Sequence, residues 1–206
     1  MAISIDSMIL IWGIKREATQ NRSDMIPRAT AFFKQCRDDH ERIIIPAPSL
    51  AEYLVKLPAE QRAKSIALFE KSFIIAPLDA KAAAIAADLQ YDMDALKSLA
   101  KEYSISRQMI KADVYVLACS IAAGATAIYS CDEHLVRMAK GKIIVRQLPE
   151  PSETQRLIYD VLNEKLIPAN HNGKISIAAA RLLPVVIGGQ WNIRRPGCLI
   201  APRRLK

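Results

Sequence analysis

The stretch Ala2-Ile3-Ser4-Ile5-Asp6-Ser7 decides the fold: a short apolar run ends in a carboxylate and passes at once into a helical pattern over residues 7–14. The same hand-over recurs at residues 126–130, Thr-Ala-Ile-Tyr-Ser, which lead through Asp132 into a short helix over residues 132–139. Three more strand-like runs lie at residues 42–46, 73–76 and 142–147. Runs rich in β-branched residues and bounded by proline or glycine read as strands. Strands that alternate with helices argue for a parallel sheet covered on both faces, and so for an α/β/α domain with a mostly parallel five-stranded sheet.

The helices between the strands carry their own signals. Ser23 or Asp24 is expected to cap a helix through residue 37, and Ser49 to cap the helix carrying Glu52. Pro58 suits the first turn of a helix running to residue 71. Asp79 caps an alanine-rich helix to residue 87 or beyond, and a further helix is expected over residues 93–103. Residues 110–123 form the most apolar helix of the chain, stopped by Gly124 as its C-cap.

Four acids, Asp6, Glu52, Asp113 and Asp132, are read as falling where a strand hands over to a helix, with Asp113 opening the apolar helix. In an open parallel sheet the carboxyl ends of the strands line one edge, and ligands bind there. Each acid alone has an ordinary explanation: aspartate is favoured as an N-cap, and Glu52 fits an exposed helix position. Together, carboxylates brought to one edge without basic partners repel one another unless a cation is shared between them. Oxygen donors of this kind suit Mg²⁺ or Mn²⁺. The chemistry indicated is metal-dependent hydrolysis of phosphodiesters.

Composition divides the chain at about residue 150. Residues 1–150 hold 20 basic and 18 acidic side chains, whereas residues 151–206 hold nine basic and three acidic ones. Four of the seven glycines and five of the eleven prolines also lie in the second part. Residues 1–150 are therefore read as the globular domain and 151–206 as a basic extension, with a helix over residues 154–165 and an apolar stretch at 175–187. A basic tail favours an anionic partner through counterion release. Cys36, Cys119, Cys131 and Cys198 show no paired spacing, so neither a disulfide framework nor a zinc knuckle is expected. Cys119 is read as a core residue, and Cys131 with His134 as a surface pair rather than zinc ligands. No signal peptide and no apolar run of about 20 residues is evident, so a cytoplasmic protein is expected.

At this point the residues resemble a known family. Ile3-Ser4-Ile5-Asp6-Ser7 resembles the opening of a PIN domain, and Pro48-Ser49-Leu50-Ala51-Glu52-Tyr53-Leu54 its glutamate-bearing helix. Ile110-Lys111-Ala112-Asp113 and the apolar residues after it resemble its third-acid helix, and Tyr129-Ser130-Cys131-Asp132 its Thr-x-Asp segment. The order covers about residues 2–149. The resemblance implies a Mg²⁺- or Mn²⁺-dependent endoribonuclease, most like the VapC-type toxins, which are typically homodimers neutralised by a small antitoxin protein. It implies that Asp6, Asp113 and Asp132 hold the metal, with Glu52 binding directly or through water. Two departures stand out: Met8 replaces a common asparagine, and Ser130 replaces the commoner threonine but keeps the hydroxyl.

An RNA strand needs basic residues around such a pocket. Lys15, Arg16, Arg107, Lys111 and Arg137 lie near the acid-bearing segments, and Ser130 adds a polar contact. Trp12 and Tyr115 have the spacing of core residues, and Glu133 is expected to face solvent. The competing reading is a PIN-like scaffold that binds RNA or protein without cleaving it. A haloacid-dehalogenase-type site needs Asp-x-Asp after the first strand, where this chain has Met8, and no phosphate-cradling glycine-rich loop is present.

Overall fold

The computed structural model describes residues 1–151, apart from Asp92 and the side chains of Gln20 and Met93, and beyond them only the antiparallel pair Val186–Ile187 and Gln190–Trp191. The expected helix at 154–165 and most of the apolar stretch at 175–187 lie outside the described residues. Five strands, β1 (Ala2–Ile5), β2 (Arg42–Pro46), β3 (Ile74–Ala76), β4 (Ala127–Tyr129) and β5 (Ile144–Arg146), form one sheet in the order β3-β2-β1-β4-β5. Every pairing is parallel, so the sheet is fully rather than mostly parallel. Ile3 pairs with Ile43 on one side and Ala127 on the other.

The period-two alternation of strand side chains sorts the layers. Ile3, Ile5, Ile43 and Ile45 point into a core with Ile9, Leu10, Phe32, Leu50, Tyr53 and Phe69. Those partners come from α1 (Ser7–Leu10), α2 (Met25–Asp38), α3 (Ala47–Val55) and α4 (Ala59–Ser72). Ile44 faces the opposite way, toward Ala82 and Cys119. Ser4 likewise turns to that side, where its hydroxyl shares a 2.7 Å hydrogen bond with Ser120. The second core is built from α5 (Ala80–Gln90), α6 (Met93–Glu102), α7 (Arg107–Ala122) and α8 (His134–Met138), with Val114, Leu117 and Ile128 fully buried. Each fully buried Leu or Ile contributes about 1.5–3 kcal/mol relative to exposure. The two cores together make the sandwich that holds the sheet edge in place. Among the described residues no helix is long and apolar enough to cross a membrane.

Helix ends follow local chemistry, with instructive exceptions. Asp79 caps α5 by accepting from the Ala82 N–H at 2.8 Å, as expected. Gly124 takes a left-handed φ of 76° after α7, and its N–H closes on Ile121 O. Asp24 stands before α2 without a side-chain cap bond. Ser49 is not a cap: α3 begins two residues earlier, at Ala47, because Pro46 and Pro48 suit a helix start. The apolar helix also begins earlier than expected, at Arg107, where Ser106 accepts from the Met109 N–H. Asp113 therefore lies inside α7 rather than at its mouth, and no strand precedes it directly.

After Leu10 the first helix widens into a π-helical turn, Ile11–Lys15, that ends at Arg16 with φ 56°. Gly13 sits in this turn against Phe33, whose ring is wedged edge-on between Phe32 and Phe73 at centroid distances of 6.0 and 6.2 Å. A Cβ at position 13 would collide with the ring of Phe33, so either the ring or the turn must shift to admit it. Gly13→Ala is expected to cost about 1–3 kcal/mol of stability through overpacking. Urea unfolding with an unchanged slope and a lowered midpoint would show it; an unshifted midpoint would mean that the turn yields freely.

Candidate active site at the carboxyl edge of the sheet

The chain winds outward from β1 to β2 and β3, then crosses back to β4 beside β1. The sheet thus reverses its direction of winding between β1 and β4, and ligands of open α/β sheets bind at such a crevice. Asp6 ends β1 there, and Ser130 and Asp132 follow β4. The Asp6 N–H donates to Tyr129 O at 3.1 Å, which extends the β1–β4 pairing up to the acid itself.

Asp6 is buried, at 8% exposure, and its carboxylate is held by three donors from different segments. Oδ1 accepts from its neighbour's Ser7 N–H at 2.6 Å and from the Ser49 hydroxyl of α3 at 3.4 Å. Oδ2 accepts from the Ser130 hydroxyl at 3.0 Å. Ser130 Oγ in turn accepts from the Asp132 N–H at 3.1 Å, so one hydroxyl ties two acids together. Burial nonetheless pushes the Asp6 carboxyl up to about 6, and the charges of Asp132 and Asp113 push in the same direction.

Asp113 is half-buried on α7, and its carboxyl is also raised, first by burial and further by Asp132 and Glu52. His134 works against that shift: its Nε2 lies 2.7 Å from Asp113 Oδ2. Glu52 on α3 and Asp132 after β4 are exposed. The four acids are thus brought within electrostatic reach of one another, graded from the buried Asp6 to the exposed Asp132 and Glu52. They do not close into a cage: among the described residues, no three carboxylate, imidazole or thiol groups stand close enough to enclose one ion. The donor set still fits a hard divalent cation in charge and chemistry. It consists of oxygen ligands, and for Asp6 and Asp113 burial and the neighbouring acids disfavour the ionised form, the condition that a cation relieves.

The basic candidates separate into two groups. Lys15 is engaged with Glu17 at 2.6 Å and with Lys56 O, and Arg137 with Glu102 at 2.6 Å. Arg16, Arg107 and Lys111 are exposed, and Arg107 and Lys111 are four residues apart on one face of α7. Arg22, which was not singled out in the sequence, places its charge near Cys131, next to Asp132. Trp12 is buried as expected, Tyr115 is half-buried, and Glu133 faces solvent. His134 is not a surface residue: at 6% exposure it is packed into the fold beside Tyr103. Ser49 and His134 are the two site residues that the sequence reading assigned elsewhere. Ser49 lies one turn before Glu52 on the same helix face, and that spacing was the available signal. Two depressions of the described surface, about 300 Å³ beside Phe33 and Phe73 and about 510 Å³ beside Phe32 and Tyr129, are lined by none of the four acids.

Comparison with known proteins places this geometry in context. The family model for the PIN domain matches residues 3–141. No curated protein matches the chain. Among solved structures, the crystal structure of VapBC2 from Rickettsia felis bound to a DNA fragment from its promoter matches with a TM-score of 0.46 and 14% identity. That match covers 72% of this chain and 100% of the other. At that score the likeness carries no weight for activity.

The raised Asp6 carboxyl has a consequence for stability. Between its ordinary 3.8 and about 6, the native state keeps a proton that the unfolded chain has released. Stability therefore falls as pH rises through that window, and the cost is complete above about pH 6. With metal chelated, Asp6→Asn should exceed the parent by on the order of 1–3 kcal/mol at about pH 7.5, with the gap closing by about pH 4. Denaturant titrations of both proteins across this range measure it, and a gap that stays constant with pH would contradict the assignment.

Proposed function

The chain belongs to the PIN-domain family, and from that premise we propose that it is a divalent-metal-dependent endoribonuclease, the toxin of a toxin–antitoxin pair. The observation that carries this reading is the gathering of Asp6, Asp113, Asp132 and Glu52 at the sheet's switch point, with the Asp6 carboxyl raised to about 6. Such a site is under electrostatic strain unless a cation shares it. Asp6, Asp113 and Asp132 would hold Mg²⁺ or Mn²⁺, with Glu52 contributing directly or through water. When bound, the ion lowers the pKa of its water and neutralises charge on the phosphate.

The side chains of this chain supply the rest. The hydroxyl of Ser130 keeps Asp6 and the Asp132 backbone in register. Met8 is half-buried against the core and leaves that task to Ser130 and Ser49. Arg107, Lys111 and Arg16 are the exposed cations suited to the RNA backbone, while Lys15 and Arg137 must first leave a carboxylate. Hydrolysis by an attacking water needs no ribose 2′-hydroxyl. The resemblance of the four acid-bearing segments to VapC-type toxins supports a small antitoxin that covers the acidic edge, pairing of two copies of the chain, and a cytoplasmic setting.

A second reading has one observation in its favour. The described acids do not enclose a cation, and a non-cleaving RNA- or protein-binding scaffold would have no need for them to do so. Incubation of the full chain with mixed RNA in Mn²⁺, Mg²⁺ or chelator separates the two. The nuclease reading expects cleavage that requires metal and falls to the chelated background in Asp113→Asn and Asp132→Asn. It also expects Mn²⁺ to raise the thermal midpoint of the parent but not of Asp113→Asn. RNA that is bound but never cut, with metal-indifferent melting, would establish the scaffold.

Salt dependence tests the cations separately. Lys111→Ala and Arg107→Ala should each reduce the slope of log affinity against log salt by about 0.7 for single-stranded RNA. Binding titrations with the non-cleaving Asp113→Asn protein measure this. Unchanged slopes would move the RNA path away from α7.

A further inference from the structure

Three of the acids are gathered by one short segment, Ser130-Cys131-Asp132-Glu133-His134, through every second residue. Ser130 donates to Asp6 Oδ2, Asp132 contributes its own carboxylate, and His134 meets Asp113 Oδ2 at 2.7 Å. Asp6 follows β1 and Asp113 lies on α7, far apart in sequence, and this segment is a link common to both. An ionised carboxylate only accepts hydrogen bonds, so with Asp113 charged it is His134 Nε2–H that donates. The imidazole is almost fully buried, with its ring beside Tyr103 at a centroid distance of 5.8 Å, and α8 packs on α7 around it. Packing therefore limits the ring's freedom, and the hydrogen bond transfers that restraint to Asp113.

The geometry points to His134 as a positioning residue for the acidic edge: it occupies one oxygen of Asp113 and leaves the other for a divalent cation. A buried histidine that only satisfies the core would affect stability alone. A carboxylate ligand oriented by a hydrogen-bonding neighbour changes its metal affinity when that neighbour is lost, by about 10–100-fold in known sites. The inference rests on the proposed metal-dependent reading for its cation, but not for the placement of Asp113.

The test uses the full chain without RNA. Mn²⁺ is titrated calorimetrically into the parent, His134→Leu, His134→Gln and His134→Asn, and metal-free crystal structures of the parent and the leucine variant are compared at Asp113. Glutamine can carry an amide N–H to the position of Nε2, whereas asparagine is polar but too short to reach. The leucine and asparagine variants should bind Mn²⁺ at least about tenfold more weakly, the glutamine variant should recover most of the loss, and Asp113 should leave its parental rotamer in the leucine variant. Equal affinity in the parent and leucine proteins, or a glutamine variant as weak as leucine, would overturn the proposal. Should the parent itself bind no Mn²⁺, the nuclease reading fails. The positioning role then stands on a displaced Asp113 in the leucine variant and falls on an unmoved one. If the leucine variant fails to fold, the comparison of glutamine with asparagine decides.

Discussion

Everything at the functional edge depends on keeping the carboxylate of Asp6 buried at the end of β1. A buried carboxylate survives only if its oxygens are hydrogen-bonded, and here the donors arrive from three places: the Ser7 backbone, Ser49 on α3 and Ser130 after β4. These bonds require β1 and β4 to be neighbours, α3 to begin directly after β2, and α1 to start at Ser7. The sheet order β3-β2-β1-β4-β5 meets the first requirement, and the prolines around Ala47 meet the second. The site is thus a product of the topology as much as of the acids.

The same arrangement carries an electrostatic cost. Burial raises the Asp6 and Asp113 carboxyls, and the remaining acids raise them further. Hydrogen bonds from Ser130 and His134 offset part of that cost without removing it. Asp132 and Glu52 stay exposed, where solvent screens them. Regions that give up stability in this way are commonly those that bind a charged ligand. The two apolar cores on either face of the sheet, with Ile5, Ile45, Leu117 and Ile128 fully buried, supply the stability against which this local cost is set.

Much of the fold was legible from the chain. Short apolar runs rich in β-branched residues marked all five strands to within a few residues, and the Asp79 and Gly124 signals placed helix ends correctly because each acts through its own local backbone. Ser49, Asp113 and His134 were misplaced for a common reason. Serine is a good cap and also a good donor to a carboxylate, and only the proline-set start of α3 shows which role it fills. The early start of α7 at Arg107 placed Asp113 mid-helix, although its polar first turn gave no apolar signal. His134 sits in a short polar-looking segment, and its burial comes from Tyr103 and α7, which are distant in sequence.

By itself the sequence determined the α/β alternation, the places of Asp6 and Asp132 just past their strands, and the family to which residues 3–141 belong. These follow from local periodicity and from residue types whose preferences act within a few positions. Only the tertiary structure decided that the sheet is wholly parallel, that Ser49 serves Asp6, and that His134 is inside holding Asp113. The reason is physical: a hydrogen bond between residues tens of positions apart depends on strand order and helix packing, which are collective outcomes of burying two apolar faces at once.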